Sequence, residues 1–383
     1  MTWYPSRALV DLSAITHNVA TLADKAGSAQ VMAVVKADAY GHGLLPAARA
    51  ALVGGATWLG VAQTGEALEL RVAGITEPRL LTWLYAPGAP LDELLIADVD
   101  VSVAARWALD AVVEAARATG RTARVHLKID TGLGRNGLTE PLLAELVPAA
   151  MAAQADGTIA LVGVWSHLAF ADAPHHPTVL GQTEAFERAV AVLERAGAHL
   201  EVRHLANSAA VLTTPSVHYD LVRPGLAVYG LSPIPEQATS AALGLVPAMT
   251  VEAVLVTVKA MPAGHGLSYA HAYTTTTDTV IGVVPIGYAD GVPRHASGSN
   301  ARPGGPVRVG GRALAVAGRV CMDQFVLDLG PGAREQPGDI VTLFGTGADG
   351  GPTAEDWAQV AGTISYEIVT RLGARVPRVH VGG

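Results

Sequence analysis

Lys36 ends an apolar run (VMAVVKA, residues 31–37) and is followed at once by a glycine-rich turn, ADAYGHG, that carries Tyr40 and a histidine. A lysine so placed either snorkels to solvent or loses solvation. In the second case its pKa falls and its neutral amine can form a Schiff base with an aldehyde. Further along, chemistry-bearing residues recur at the ends of other β-branched runs. Arg135 follows RVHLKID, His167 ends ALVGVWSH, Asn207 and Ser208 follow EVRHLA, and Arg223 with Gly225 sits in DLVRPGLAVYG. The set is one amine, two guanidinium groups, an imidazole and small residues of the kind that suit a phosphate. Ser208 has a second reading as a helix cap, since Asn207-Ser208 precedes an Ala-rich run, and one residue can do both. Lys128 lies in RVHLKID on the same face as His126 and Asp130. If that face points inward, Lys128 is a buried cation near Arg135 that must lose its proton or find an anion.

The elements needed to gather these residues are legible as a repeating pattern. From about residue 31 to 230, eight short β-branched runs alternate with Ala/Leu-rich amphipathic segments such as 104–119 and 178–196. Eight βα units predict a closed parallel (β/α)8 barrel, an α/β fold whose function collects at the C-terminal ends of the strands. After about residue 245 the texture becomes β-rich with Gly/Pro turns, and Gly310-Gly311 between two strand patterns signals a hairpin. The expected organisation is a barrel over 12–243 and a mostly antiparallel β domain over 244–383, joined by residues 1–11 as an added strand.

Composition narrows the class. Half of the 383 residues are hydrophobic and 16% are charged, which fits a compact globular chain. A net charge of −8 argues against nucleic acid or an anionic membrane as main partner. The first residues lack the apolar core of a signal peptide, and no apolar run reaches the roughly 18 residues that span a bilayer. Cys321 is the single cysteine, so no internal disulfide can form, and the expected compartment is the cytoplasm.

Two features point elsewhere. GLGRNG (132–137) satisfies GxGxxG after a strand, as in a nucleotide-binding dehydrogenase, but the helix start falls beyond it at Thr139 and Pro141. His126, His167, His204 and the pair His175-His176 suggest a metal-dependent hydrolase, yet they lack tight ligand spacing, and no metal is expected.

AVVKADAYGHG (33–43) resembles the cofactor-lysine motif of alanine racemases, and the likeness continues in order. HLKIDTGLGRNG (126–137), SHLAFAD (166–172), HLANSAA (204–210), VRPGLAVYG (222–230), GLSYAHAYT (266–274), GRVCMDQ (318–324) and YEIVTRLGARVPR (366–378) are similar to that family's motifs. The resemblance implies racemisation of alanine on pyridoxal phosphate by two-base proton transfer, supplying D-alanine for peptidoglycan. A broader amino-acid or serine racemase is the alternative on the same scaffold. It implies that Lys36 holds the cofactor, with Tyr40, Asn207, Ser208, the amides of Gly225 and Leu226, and Tyr366 around the phosphate. Arg223 would face the pyridine nitrogen. An arginine there is a donor only, so the ring stays largely unprotonated and a weaker electron sink. Two-domain decarboxylases on this architecture usually place an acid at that point, and a non-catalytic binder would resemble the barrel alone.

By the same resemblance Lys36 and Tyr269 serve opposite faces of the substrate, with His167 as a relay hydrogen-bonded between Tyr269 and Arg223. A phenol of pKa about 10 needs nearby cations to act as a base near neutrality. Arg135 would contact the cofactor's phenolic oxygen and the substrate carboxylate, helped by the Met322 amide. Asp172, Tyr288 and Arg319 would line the entry. Some members carry a carbamate on the lysine at the position of Lys128. The implied assembly is a head-to-tail homodimer in which Tyr269 enters the neighbouring site.

Overall fold

The computed structural model describes residues Tyr4–Gly383. The chain divides into two compact units. One comprises residues 15–39 and 44–245; the other comprises the N-terminal segment through Ala14, residues 40–43 and residues 246–383.

The first strand, β1 (Ser6–Asp11), belongs to the second unit. The first unit holds the eight parallel strands expected from the pattern. They are β2 (Gln30–Val34), β3 (Trp58–Gln63), β4 (Arg79–Leu84), β5 (Asp100–Val103), β6 (Ala123–Lys128), β7 (Ile159–Trp165), β8 (Val202–His204) and β9 (Leu221–Val222). They pair in the order β8-β7-β6-β5-β4-β3-β2-β9. Hydrogen bonds from Asp220 N to Arg203 O (3.1 Å) and from Arg223 N to Ala206 O (2.9 Å) bring the two ends together. Such strands are buried on both faces: Val125, His126, Leu127 and Lys128 on β6 are all buried. The helices Arg106–Thr119 and Pro177–Arg195 fall where the amphipathic segments were expected.

β9 is far shorter than the run DLVRPGLAVYG suggests. Pro224 has no N–H for a ladder, and the chain turns at Gly225 into a 3-10 helix, Leu226–Tyr229. That helix begins inside the run itself, so its first amides are left for other work.

In the second unit, β10 (Met249–Val254) and β11 (Thr257–Met261) divide between two sheets what looks in sequence like one long run. β12 (Gly266–Leu267) and β13 (Tyr273–Thr274) make a small ribbon, and β14 (Thr279–Val284) follows. β15 (Pro306–Val309) and β16 (Arg312–Ala315) form the expected hairpin. Gly310 and Gly311 have φ of 53° and 81°, as a two-residue turn between twisted strands requires. β17 (Phe325–Gly330), β18 (Ile340–Phe344) and β19 (Arg378–Val381) complete the set. β1 joins this unit, antiparallel to β10 and parallel to β19. Two short helices, Ala354–Ala361 and Ser365–Thr370, were not expected.

Candidate active site

Lys36 does not end a strand: β2 stops at Val34, and Lys36 opens a tight turn, Lys36–Gly41. Ala37, Asp38, Ala39 and Tyr40 all have φ between 53° and 55°, so the turn is left-handed. Each such residue costs about 1–2 kcal/mol in L-amino acids. Hydrogen bonds oppose that cost: Ala37 N donates to Glu66 Oε1 (2.5 Å), Ala39 N to Val35 O (2.9 Å) and Leu44 N to Asp38 Oδ1 (2.7 Å). Strain maintained this way marks a place where side-chain direction matters.

Around Lys36 the barrel unit gathers cations. Burial lowers the lysine's pKa, and the charge of Arg135 lowers it further; Glu66 works the other way, and Arg223 adds a smaller lowering. Lys128 is buried on β6 and pushed down to about 8, by desolvation first and then by Arg223, Arg135 and Lys36. Its ammonium lies 4.2 Å from the Trp165 ring centroid, and among the described residues no ion pair to it is formed. His167 is held neutral, pushed down to about 3 by burial and then by the charges of Arg223, Arg135, Lys128 and Lys36. Its carbonyl accepts from Gln182 Nε2 (3.1 Å), which also donates to Thr131 Oγ1 (3.0 Å). Gln182, which the sequence does not single out, thus ties together the loops after β6 and β7.

Arg223 is buried, not a surface ion-pair residue. Its Nη2 donates to Ser166 O (2.6 Å) and Leu205 O (3.3 Å), and its Nη1 meets His204 Nδ1 at 3.3 Å. Burial lowers its pKa, while these acceptors favour the cation. The imidazole hydrogen-bonded to Arg223 is therefore His204, where the motifs alone suggest His167.

Asn207 caps the helix Ser208–Thr213, its side chain accepting from Ala210 N (3.2 Å). Ser208 Oγ accepts from Gly225 N (2.8 Å) and Ala227 N (3.3 Å), so it sits where the chain turns after β9, beside buried Leu226. In the second unit, Tyr40 and Tyr366 pair with ring centroids 6.2 Å apart. Burial raises the pKa of Tyr40 further, keeping its hydroxyl a donor.

Tyr269 is 69% exposed in a 3-10 turn, and its neighbours Ser268 and Ala270 both have φ of 60°. Met322 and Tyr288 are also exposed, as is Arg319, whose carbonyl accepts from Ser268 Oγ (2.7 Å). Cys321 Sγ lies 3.4 Å from the same hydroxyl. Asp172, in the barrel unit, is exposed and uses its carbonyl to accept from Gln237 Nε2. The glycine-rich decoy is also explained: Asp130 Oδ1 accepts from Gly132 N (3.0 Å) and Gly134 N (3.1 Å), and the helix begins afterwards at Glu140 with Thr139 as its cap. Those amides serve an aspartate of the same loop.

The N-terminal domain model of alanine racemases matches residues 10–233, and the C-terminal domain model matches residues 248–380. The chain belongs to the alanine racemase family. It is 63% identical to an alanine racemase of Beutenbergia cavernae, over 99% of each chain, and 55% identical to one of Streptomyces coelicolor, over 98% and 96%. A crystal structure of alanine racemase from D-cycloserine-producing Streptomyces lavendulae superposes with a TM-score of 0.97 at 55% identity, covering 100% of this chain and 98% of that one. The alanine racemase family depends on pyridoxal phosphate, and the donor set here fits that group. Arg135 and Arg223 lower the pKa of both Lys36 and Lys128, with Glu66 opposing them at Lys36 and Asp130 at Lys128. Such a cluster calls for anions, which a phosphate ester and an amino-acid carboxylate supply. Among the described residues no helix is long and apolar enough to cross a membrane.

Proposed function

We propose that the chain interconverts L- and D-alanine on pyridoxal phosphate with Lys36 and Tyr269 as the two bases serving opposite faces of the substrate's Cα. The observation that carries this reading is the lysine whose pKa is lowered by burial and by Arg135, at the head of a left-handed turn among cations. Bound pyridoxal phosphate supplies an electron sink that acidifies the Cα proton. Lys36, with its amine biased toward the neutral form, can accept or return that proton. Arg223, a donor at every nitrogen, would face the cofactor's ring nitrogen and leave its lone pair unprotonated. Ser208 and the amides of Gly225 and Leu226 would hold the phosphate from the barrel unit, beside the cap residue Asn207. Family likeness assigns the hydroxyls of Tyr40 and Tyr366 to the same phosphate. Arg135 and the Met322 amide would bind the substrate carboxylate. His167, held neutral, can pass a proton near these groups, while Asp172, Tyr288 and Arg319 would line the entry.

The exposure of Tyr269 supports a head-to-tail dimer in which each tyrosine enters the neighbouring chain's site. A lone cysteine fits a cytoplasmic enzyme, and D-alanine for peptidoglycan fits the alanine preference. Polarimetry tests the activity: pure L-alanine should lose its optical rotation while L-serine and L-lysine largely keep theirs. Loss with L-serine at a comparable rate would replace alanine specificity by a broader racemase, and retention with all three would overturn the reading.

Lys128 belongs to the same proposal as a carbamate. Carbon dioxide adds to its neutral amine, an N–C bond forms, and the displaced N–H proton leaves to solvent. The product is an anion that can accept charge-assisted hydrogen bonds from Arg135. Support comes from its lowered pKa and its lack of an ion pair among the described residues. Lys128→Ala should lower activity by about 10-fold or more, with partial recovery in acetate or chloride, because a small anion can occupy the vacated place. No recovery with either anion, or crystallographic density for a bare ammonium paired to a carboxylate, would contradict the carbamate.

A further inference from the structure

A buried chain of side chains crosses the barrel interior from Arg223 to Asp100. Arg223 Nη1 meets His204 Nδ1 at 3.3 Å, His204 Nε2 meets His126 Nδ1 at 2.9 Å, and His126 Nε2 meets Asp100 Oδ2 at 3.1 Å. Asp100, His126 and His204 are fully buried. They lie on β5, β6 and β8, and the strand between the last two, β7, makes room with a glycine. A Cβ on Gly163 would lie 2.1 Å from His126 Nδ1.

The two ends of the chain fix the direction of every proton in it. Arginine can only donate, so His204 Nδ1 must present a lone pair. A neutral His204 then carries its proton on Nε2 and donates to His126 Nδ1. His126 in turn carries its proton on Nε2 and donates to Asp100. The far end is a firm acceptor: Asp100 also takes Arg79 Nη2 (2.5 Å) and Arg124 Nε (2.5 Å), and although burial pushes its carboxyl up, the hydrogen bonds from His126 and Arg79 outweigh that and hold it down to about 2. Burial, reinforced by Arg223, holds His204 well below the usual histidine range, so it stays neutral. Its ring also stacks on Trp165 with an interplanar angle of 2°, which restricts rotation.

We propose that His126 and Asp100 are positioning residues for Arg223: they lock His204 in the tautomer whose Nδ1 accepts from the guanidinium, and so fix where that cation points. The catalytic consequence rests on the reading that Arg223 faces the cofactor's ring nitrogen; the tautomer assignment does not. Hydrogen-bond chains of this kind strengthen cooperatively in a low-dielectric interior, and a break leaves a buried donor without an acceptor. If His126 cannot accept, His204 is free to place its proton on Nδ1, opposite the guanidinium, and Arg223 must move.

The test begins with the unmodified holoenzyme labelled with 15N at histidine. Signals of His126 and His204, assigned from the variants, should report bare Nδ1 and protonated Nε2 in both rings, and His204 should not titrate where exposed histidines do. A proton on His204 Nδ1, or a titrating His204, overturns the proposal. His126→Phe keeps a ring but neither accepts nor donates. It should shift the bound cofactor's visible absorbance and lower kcat on the order of 10- to 100-fold with little change in KM. His126→Gln restores one acceptor toward His204 and one donor toward Asp100, and should recover most of both. A folded His126→Phe with unchanged spectrum and kcat, or a Gln variant as impaired as Phe, rejects the positioning role. Should His126→Phe not fold, the tautomers in the unmodified protein and the Phe-independent behaviour of the Gln variant still decide. If the unmodified protein fails to racemise alanine, the proposed function falls, while the 15N measurement still judges the tautomer lock.

Discussion

Lys36→Ala should abolish the visible absorbance of the bound cofactor and reduce kcat by roughly 10⁴-fold or more, since the variant loses both the covalent anchor and one of two proton-transfer groups. The fold should persist. Lys36 sits among Arg135, Arg223 and Lys128, and its removal relieves repulsion that already lowers the pKa of Lys128. The cofactor-free variant should therefore melt no lower than the cofactor-free parent. Absorbance spectra, racemisation assays and thermal melts together separate these outcomes. A variant that retains the visible band and turns over normally would move the cofactor's attachment elsewhere.

The second large effect belongs to Tyr269. Its hydroxyl is carried on an exposed turn, so Tyr269→Phe removes one oxygen without disturbing a buried core. Loss of one acid/base group should slow turnover by about 10²–10⁴-fold. The loss should also be directional. On the proposed two-base reading each enantiomer presents its Cα proton to a different base, so with α-deuterated substrate the isotope effects in the two directions should become unequal. Small and equal effects in both directions would remove Tyr269 from proton transfer.

Much of this arrangement is legible in the sequence because the barrel repeats one signal. Each β-branched run bounded by an amphipathic segment fixes a strand, and residues at or shortly after several runs lie towards the C-terminal ends of the strands, where barrels of this kind carry their function. That logic leads from the sequence to Lys36, Arg135, His167, Ser208 and Arg223. Gly310-Gly311 is similarly direct, because two adjacent glycines supply the positive φ a tight hairpin needs.

Other features leave weaker traces. The left-handed turn after Lys36 uses alanine, aspartate and tyrosine at positive φ, none of which announces that conformation as glycine does. Its stabilising partner Glu66 lies in a different βα unit. The role of His204 beside Arg223 is hidden for the same reason: the contact joins two strands and depends on ring orientation. Adjacent positions on a motif cannot say whether His167 or His204 faces the guanidinium. The helix Ala354–Ala361 carries a signal in its sequence, a capping box from Thr353 to Asp356. β9 ends early because Pro224 cannot donate, which the sequence states plainly although the apolar run masks it.

The proposal that Lys36 of one chain works with Tyr269 of another is tested most directly by mixing two inactive proteins. Lys36→Ala and Tyr269→Phe chains, allowed to exchange subunits and checked for heterodimers by mass spectrometry, should regain about one quarter of the unmodified activity per chain. Half of the dimers in an equal mixture are heterodimers, and each of those contains one complete site of two. Recovery near that level, proportional to the heterodimer fraction, is the predicted result. No recovery after verified exchange would contradict it, and would place both bases within a single chain.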